Sequence, residues 1–326
     1  MTALLEVEDL HVEFRTRDGV ARVLNGVSYH VDAGETLAVL GESGSGKSVT
    51  AQAVMGILDT PPAFVTRGSV RFHGEELLTA SGERRRQVRG EGVAMIFQDA
   101  LSALNPVFTV GFQIEEQLRL RRGMSRSEAR ARAVELLDLV RIPHARQRVR
   151  EYPHQFSGGM RQRAMIAMSL ALDPEVLIAD EPTTALDVTV QAQIMDLLAE
   201  IQRERHMGLV LITHDLGVVA EVADRIVVMY AGRIVEQADA LSLFRAPGHP
   251  YTEALMKSLP RLDSKGTVLD TIKGLPPSLL RIPPGCPFHP RCPRAQDVCV
   301  VDVPAQQRLG LGRTSACHFA AEVLNG

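Results

Sequence analysis

Gly41-Glu42-Ser43-Gly44-Ser45-Gly46-Lys47-Ser48 has the spacing G-x-x-x-x-G-K-[ST] of a phosphate-binding loop. Glycines let the backbone curl until several N–H groups converge on phosphate oxygens. The helix that follows adds partial positive charge at its N-terminus. The motif needs a strand before it and a helix after it. Residues 34–40, Gly-Glu-Thr-Leu-Ala-Val-Leu, end in a short apolar run suited to a buried strand, and Val49-Thr50-Ala51-Gln52-Ala53-Val54-Met55 can start a helix. In that setting Lys47 neutralises β- and γ-phosphates and the Ser48 hydroxyl ligates Mg²⁺.

Upstream, residues 3–41 read as β-rich. Leu5, Val7, Leu10, Val12 and Phe14 alternate imperfectly, Arg15–Gly19 makes a turn, and Val23, Leu24, Val27 and Tyr29 resume the pattern. An aromatic ring ahead of the loop can stack on adenine. Phe14 is the candidate, although core packing explains a Phe equally well.

Downstream, Pro61-Pro62 breaks the chain, and Ser69–His73 and Val93–Phe97 read as short strands, the second delivering Gln98. Residues 99–156 switch to helical periodicity. Ser125 and Glu128 form a capping box, and Ala129, Ala133, Leu136, Leu137 and Val140 share one face behind it. This predicts a helical insert between two αβ portions. Ser157-Gly158-Gly159 precedes an apolar-periodic run, which predicts a flexible loop at a helix N-terminus and a second anion-binding position. Val176-Leu-Ile-Ala-Asp180-Glu181 is a buried strand ending in two acids. Asp180 is placed to hold Mg²⁺, and Glu181 to orient and deprotonate a water. Gly208–Thr213 is the next buried strand, with His214 at its end, where ligands gather in parallel sheets. Arg225–Tyr230 and Arg233–Gln237 close on a turn at Gly232.

At 326 residues the chain has room for about two domains, and 45% hydrophobic with 23% charged residues is the balance of a globular protein. A net charge of −3 gives no basic surplus for nucleic acid, and Arg84-Arg85-Arg86 reads as a solvated face. No uninterrupted apolar stretch reaches the ~18–20 residues that span a bilayer. The amino terminus, with an early acid and no basic start, does not read as a secretory leader, so a cytosolic chain is expected. After about residue 240 the pattern becomes proline-rich and predicts a separate, mostly non-helical module. Its four cysteines, Cys286, Cys292, Cys299 and Cys317, are spaced C-x₅-C-x₆-C-x₁₇-C. In a reducing compartment that clustering favours ligation over disulfides. Zinc sites usually show tighter pairs, and four thiolates also suit a [4Fe–4S] cluster. Zinc, a cluster and unliganded thiols all stay open. His289 and His318 are close enough in sequence to substitute, with polar packing the plainer role.

The phosphate loop, Gln98, Ser157-Gly158-Gly159, Asp180-Glu181 and His214 stand in an order that resembles the nucleotide-binding subunit of an ABC transporter, over about residues 3–238. The resemblance implies an α/β P-loop NTPase fold: a RecA-like core, an antiparallel β subdomain and a helical subdomain. The ATPase domain would span 1–238 and a small Cys/Pro-rich extension 239–326. It implies an ATP site made of Phe14, Gly41, Ser43, Gly44, Ser45, Gly46, Lys47, Ser48 and Val49. Ser157, Gly158, Gly159 and Asp187 would serve the site from across a dimer. Ser48, Gln98 and Asp180 would attend Mg²⁺, with Gln98, Glu181 and His214 catalytic. Ala185-Leu186-Asp187 resembles the D-loop. Ser102–Pro106, Tyr152–Met160, His249-Pro-Tyr-Thr252 and Gly285–Ala295 resemble the dipeptide, oligopeptide and nickel importer ATPases, some of which carry a [4Fe–4S] cluster in a similar tail. Met160 departs from the glutamine usual at that position and resembles one of two non-identical ATPase subunits. A homologous ATPase partner, two permease subunits, an indirect solute-binding protein and a place on the cytoplasmic face of the membrane are implied. A nickel or other small-solute importer of the same family remains an alternative. A non-transport ABC ATPase would show two cassettes or a coiled-coil insertion, and a P-loop kinase would have no use for 157–159.

Overall fold

The computed structural model describes residues 3–184, 186–258 and 272–325. In chain order the strands are β1 Leu5–Thr16, β2 Gly19–Val31, β3 Thr36–Leu40, β4 Ala63–Phe72, β5 Glu75–Glu76, β6 Val93–Ile96, β7 Val176–Asp180, β8 Gly208–Ile212, β9 Arg225–Tyr230, β10 Arg233–Asp239, β11 Gln307–Gly310 and β12 Arg313–Ser315. Two compact units result. One comprises the described residues within 1–4, 31–35 and 79–212, the other those within 5–30, 36–78 and 213–326. Among the described residues no helix is long and apolar enough to cross a membrane.

In the first unit β6, β7 and β8 run parallel with β7 central, Ile178 pairing with Met95 on one side and Val210 on the other. Every residue of these strands is buried, so their sequences are continuous apolar runs rather than alternating ones. Helices Ala100–Ala103, Val110–Arg122, Arg126–Leu139 and Ala145–Arg148 fill the predicted insert. The capping box forms: Ser125 N–H donates to Glu128 Oε2 at 2.8 Å, and Glu128 N–H donates to Ser125 Oγ at 3.3 Å. Ala129, Ala133, Leu136, Leu137 and Val140 are fully buried on the face their spacing defines.

In the second unit β2-β1-β4-β5 form an antiparallel sheet. The imperfect alternation of β1 has a cause. Its register with β4 slips between Glu8 and His11, where Asp9 adopts φ 47°. An inserted residue moves the inward set by one position, from Leu5 and Val7 to Leu10 and Val12. β4 is longer than the Ser69–His73 strand expected, because its first half, from Ala63, pairs with β1 beyond that bulge.

A further run of paired strands in this unit is built on β3, which pairs in parallel with β9, Val39 opposite Val227. A two-residue turn, Ala231 at φ 46° and Gly232 at φ 76°, returns the chain into antiparallel β10. Left-handed geometry at both positions is what a tight hairpin of this hand requires. The segment after 240 continues the sheet. β12 pairs with β10, Glu236 opposite Ser315, and β11 pairs with β12. Tyr251 and Phe288 from this segment pack on Tyr230 of β9, with ring centroids 4.6 and 5.2 Å away, in one core with Leu40 and Val228.

His249 caps the helix Pro250–Lys257 from inside that core. It is 1% exposed, and its Nδ1 accepts from Tyr251 N–H at 3.0 Å. Burial pushes its pKa down to about 3, outweighing a bond to the Ala316 backbone. The ring is therefore neutral when folded, whereas it takes a proton below pH ~6.5 when unfolded. Its contribution is complete above that pH and drains away as pH falls toward 3. Urea midpoints of the wild type should fall across this window. His249→Asn, which keeps a capping oxygen, should flatten that part of the profile, and parallel profiles would remove His249 from the account.

Candidate active site

The phosphate loop joins β3 to the helix Lys47–Met55. Both glycines that the spacing requires have steric reasons. Gly41 has φ 152°, and a Cβ there would lie 2.3 Å from Met229 O. Gly46 has φ 104°, and its Cβ would lie 2.7 Å from Leu24 Cδ2. Gly46 starts the helix with no side-chain cap, so the first-turn N–H groups present an anion site. Lys47, 5% exposed, donates from Nζ to Gly41 O at 2.7 Å and Glu42 O at 3.0 Å. Ser45 Oγ is buried with no hydrogen-bond partner, while Ser43 and Gly44 are exposed and Ser48 and Val49 half-buried. Half-buried Phe14 sits in β1 opposite Ala63. His214 is exposed, next to Thr213, whose N–H donates to Val39 O at 3.3 Å.

The other unit gathers a second constellation. β6 ends at Ile96, a residue before the expected Phe97, and Gln98 follows exposed. Gln98 Nε2 donates to Glu181 Oε2 at 3.1 Å, and Thr184 Oγ1 donates to the same oxygen at 2.9 Å. Side chains 83 residues apart thus meet. Glu181 adopts φ 46°, a left-handed backbone that costs a non-glycine residue about 1–3 kcal/mol where the surroundings impose it. Its N–H is tied to Ile212 O at 2.9 Å, and Asp180 before it is 4% exposed at the end of β7.

Ser157 departs from expectation in one respect. Gly158 and Gly159 lie within the first turn of the helix Gly158–Ser169, not in a loop before it. The Ser157 side chain supplies the reason, capping the helix by accepting from Met160 N–H at 3.3 Å. Asp187 caps Val188–Arg205 in the same way, through Val190 N–H at 3.0 Å. Ala185, expected in the D-loop, lies outside the described residues.

All four cysteines line one cavity with about 360 Å³ of empty space, its open mouth included, alongside His249, His289 and His318. Burial pushes the Cys286 thiol up to about 11, and raises Cys292 and Cys317 as well. Among the described residues, no three or more His, Cys, Asp or Glu side chains are gathered so as to hold a single metal ion. His289 Nδ1 lies 2.9 Å from Cys286 O, and His318 Nε2 lies 2.9 Å from Asp302 O, which commits those nitrogens to backbone carbonyls.

Three participants were not foreseen from sequence. Thr184 stands within the acidic turn, and Tyr251 and Arg291 meet the loop from more than 200 positions away: Glu42 N–H donates to Tyr251 Oη at 2.8 Å, and Arg291 Nη1 to Glu42 Oε2 at 2.6 Å. No spacing rule links such distant positions.

Residues 24–184 match the family profile described as ABC transporter, and residues 235–299 that of the oligopeptide/dipeptide transporter C-terminal region. The oligopeptide transport ATP-binding protein OppD of Salmonella typhimurium is 51% identical over 98% of this chain and 95% of its own length. The dipeptide transport ATP-binding protein DppD of Bacillus subtilis is 51% identical over 94% and 91%. The chain belongs to the ATP-binding proteins of the oligopeptide and dipeptide ABC transporters. Among solved structures, the dimeric bacterial ABC transporter cassette MJ0796 superposes with TM-score 0.65 at 27% identity, over 72% of this chain and 98% of that one. As an ABC ATPase, the chain binds and hydrolyses ATP.

The close approach at Gly41 is testable. Gly41→Ala places a methyl against Met229 O, whereas at Gly44 a Cβ meets nothing within 4 Å, leaving only the strain of φ 79°. ATP affinity, measured with a fluorescent analogue on folded protein, should fall more than ~10-fold in Gly41→Ala and clearly less in Gly44→Ala. Equal losses would assign the effect to backbone conformation rather than to contact with β9.

Proposed function

We propose that this ABC ATPase energises import of di- and oligopeptides. The observation that carries the proposal is similarity over nearly the whole length to ATP-binding proteins named for oligopeptide and dipeptide transport, including the C-terminal region. The subunit would pair with a homologous ATPase and act on two permease subunits at the cytoplasmic face of the membrane, with a solute-binding protein engaged indirectly. A nickel or other small-solute importer of the same family is the second reading. Residues 1–238 would form the nucleotide cassette and 239–326 the importer-type extension.

In this proposal the loop residues Gly41 and Ser43–Val49 bind the triphosphate, with Lys47 supplying charge. Ser48, with Gln98 and Asp180, attends Mg²⁺, and Phe14 stacks on adenine. Ser157, Gly158, Gly159 and Asp187 serve the nucleotide held by the partner's loop. MJ0796 was solved as a dimer, which supports that arrangement. Phosphoryl transfer needs positioning and charge neutralisation more than covalent chemistry. Glu181 would polarise the attacking water. The two donors on its Oε2 support that role by fixing the carboxylate's direction, and His214 would contact the γ-phosphate.

Cys286, Cys292, Cys299 and Cys317 would hold a [4Fe–4S] cluster as thiolates. Their convergence on one cavity supports this. The cluster, when bound, would cross-link four separated chain positions. The protonated state that burial favours for the Cys286, Cys292 and Cys317 thiols gives way on ligation, because a cation stabilises thiolate.

Glu181→Gln should keep ATP binding while turnover drops about 10²–10⁴-fold, the usual worth of a general base; wild-type turnover would take Glu181 out of that role. Anaerobically purified protein should contain iron with broad absorption near the visible blue. Loss of both in Cys299→Ser is expected, and wild-type protein lacking iron however it is prepared would end the cluster proposal.

A further inference from the structure

Arg291 lies in the short turn His289–Arg291, between Cys286 and Cys292, and its side chain is only 5% exposed. Its guanidinium grips both oxygens of Glu42, Nη1 to Oε2 at 2.6 Å and Nη2 to Oε1 at 2.9 Å. Two further donors are engaged as well. Nη1 reaches Tyr230 Oη at 3.3 Å, and Nε donates to Lys273 O at 3.1 Å. Glu42 is held through its backbone as well, its N–H by Tyr251 Oη at 2.8 Å and its carbonyl by Lys47 Nζ at 3.0 Å. The second residue of the phosphate loop is thus anchored through side chain, N–H and C=O.

A carboxylate in a loop that receives a triphosphate is a liability, because like charges repel most where water is scarce. We propose that Arg291 is a positioning residue for nucleotide binding: its planar fork neutralises the Glu42 carboxylate and holds it aside, so that the loop presents its N–H groups and Lys47 to the phosphates. A fork that matches a carboxylate at two points fixes direction as well as charge, which a lysine cannot do. The inference rests on 41–48 being the ATP site.

The roles of charge and of mere anchoring separate in one experiment. ATP binding is measured with a fluorescent analogue on the full chain, folding is checked by thermal unfolding, and ATPase kinetics are taken on the assembled complex. Arg291→Ala should weaken binding about 10-fold, and Arg291→Lys a few-fold, with KM rising and kcat within about 2-fold. Adding Glu42→Gln to Arg291→Ala should restore affinity to within about 3-fold of Glu42→Gln alone, since the unpaired charge is gone. Wild-type affinity in Arg291→Ala overturns the proposal. So does a double variant as weak as Arg291→Ala, which would make the contact an anchor only. Should Arg291→Ala not fold, Arg291→Lys with and without Glu42→Gln carries the same test, and absence of relief overturns it. Lys47→Ala is the control: undiminished binding there would instead defeat the assignment of the loop to ATP.

Discussion

β3 passes so close to β9 at its carboxyl end that Gly41 has no room for a methyl group beneath Met229 O. Much of the loop 41–48 follows from this approach. The loop can curl only because the chain leaves β3 without a side chain, and the curl brings the Gly41 and Glu42 carbonyls within reach of Lys47 Nζ. β9 then turns at Ala231-Gly232, and Gly232 N–H donates to Ser45 O at 2.9 Å. The hairpin that ends β9 therefore braces the loop whose entry β9 crowds. Asn25 N–H donates to Gly232 O at 2.8 Å, so β2 supports the brace from the opposite side.

Buried charge is distributed with similar economy. Glu236 is fully buried in β10. Burial raises its pKa, against the Gly248 N–H at 2.6 Å and Arg313 at 3.0 Å. A buried ion pair is weak evidence for net stability, because desolvation offsets most of the attraction. What this pair does specify is position. Arg313 begins β12, and its partner carboxylate sits on β10, where Glu236 pairs with Ser315. A slip of β12 by one residue would leave a carboxylate buried without its cation, so register is enforced by penalty rather than by gain.

What could be read in advance divides along physical lines. β7, β8, β9 and β10 were legible to within a residue or two, since fully buried parallel strands are apolar throughout and a tight hairpin announces itself at Gly232. The capping box at Ser125 was legible because its two partners are three residues apart. β1 was blurred by a bulge that shifts the inward set, a feature with no compositional mark. The helix start at Gly158 was placed too late because glycine's low helix propensity outweighed the cap at Ser157. Gln98 and Glu181 were each singled out, yet their hydrogen bond depends on adjacent ends of β6 and β7, which only the sheet order supplies.

The carboxy-terminal segment shows most plainly why local patterns are insufficient. Its prolines and cysteines read as an independent appendage, but Tyr251 and Phe288 share a core with Leu40, the last residue before the phosphate loop. Tyr251 spends its ring on that core and its hydroxyl on Glu42 N–H, so one residue ties the packing of the segment to the loop's backbone. Arg291 adds a second tie, and it stands next to Cys292, whose side chain packs on the same core. Any ligand that fixes Cys286 and Cys292 also fixes the turn from which Arg291 extends. The geometry of the cysteine cavity and that of the loop 41–48 are therefore not independent variables in this unit: a displacement at one must be absorbed by the other or by the ion pair between them.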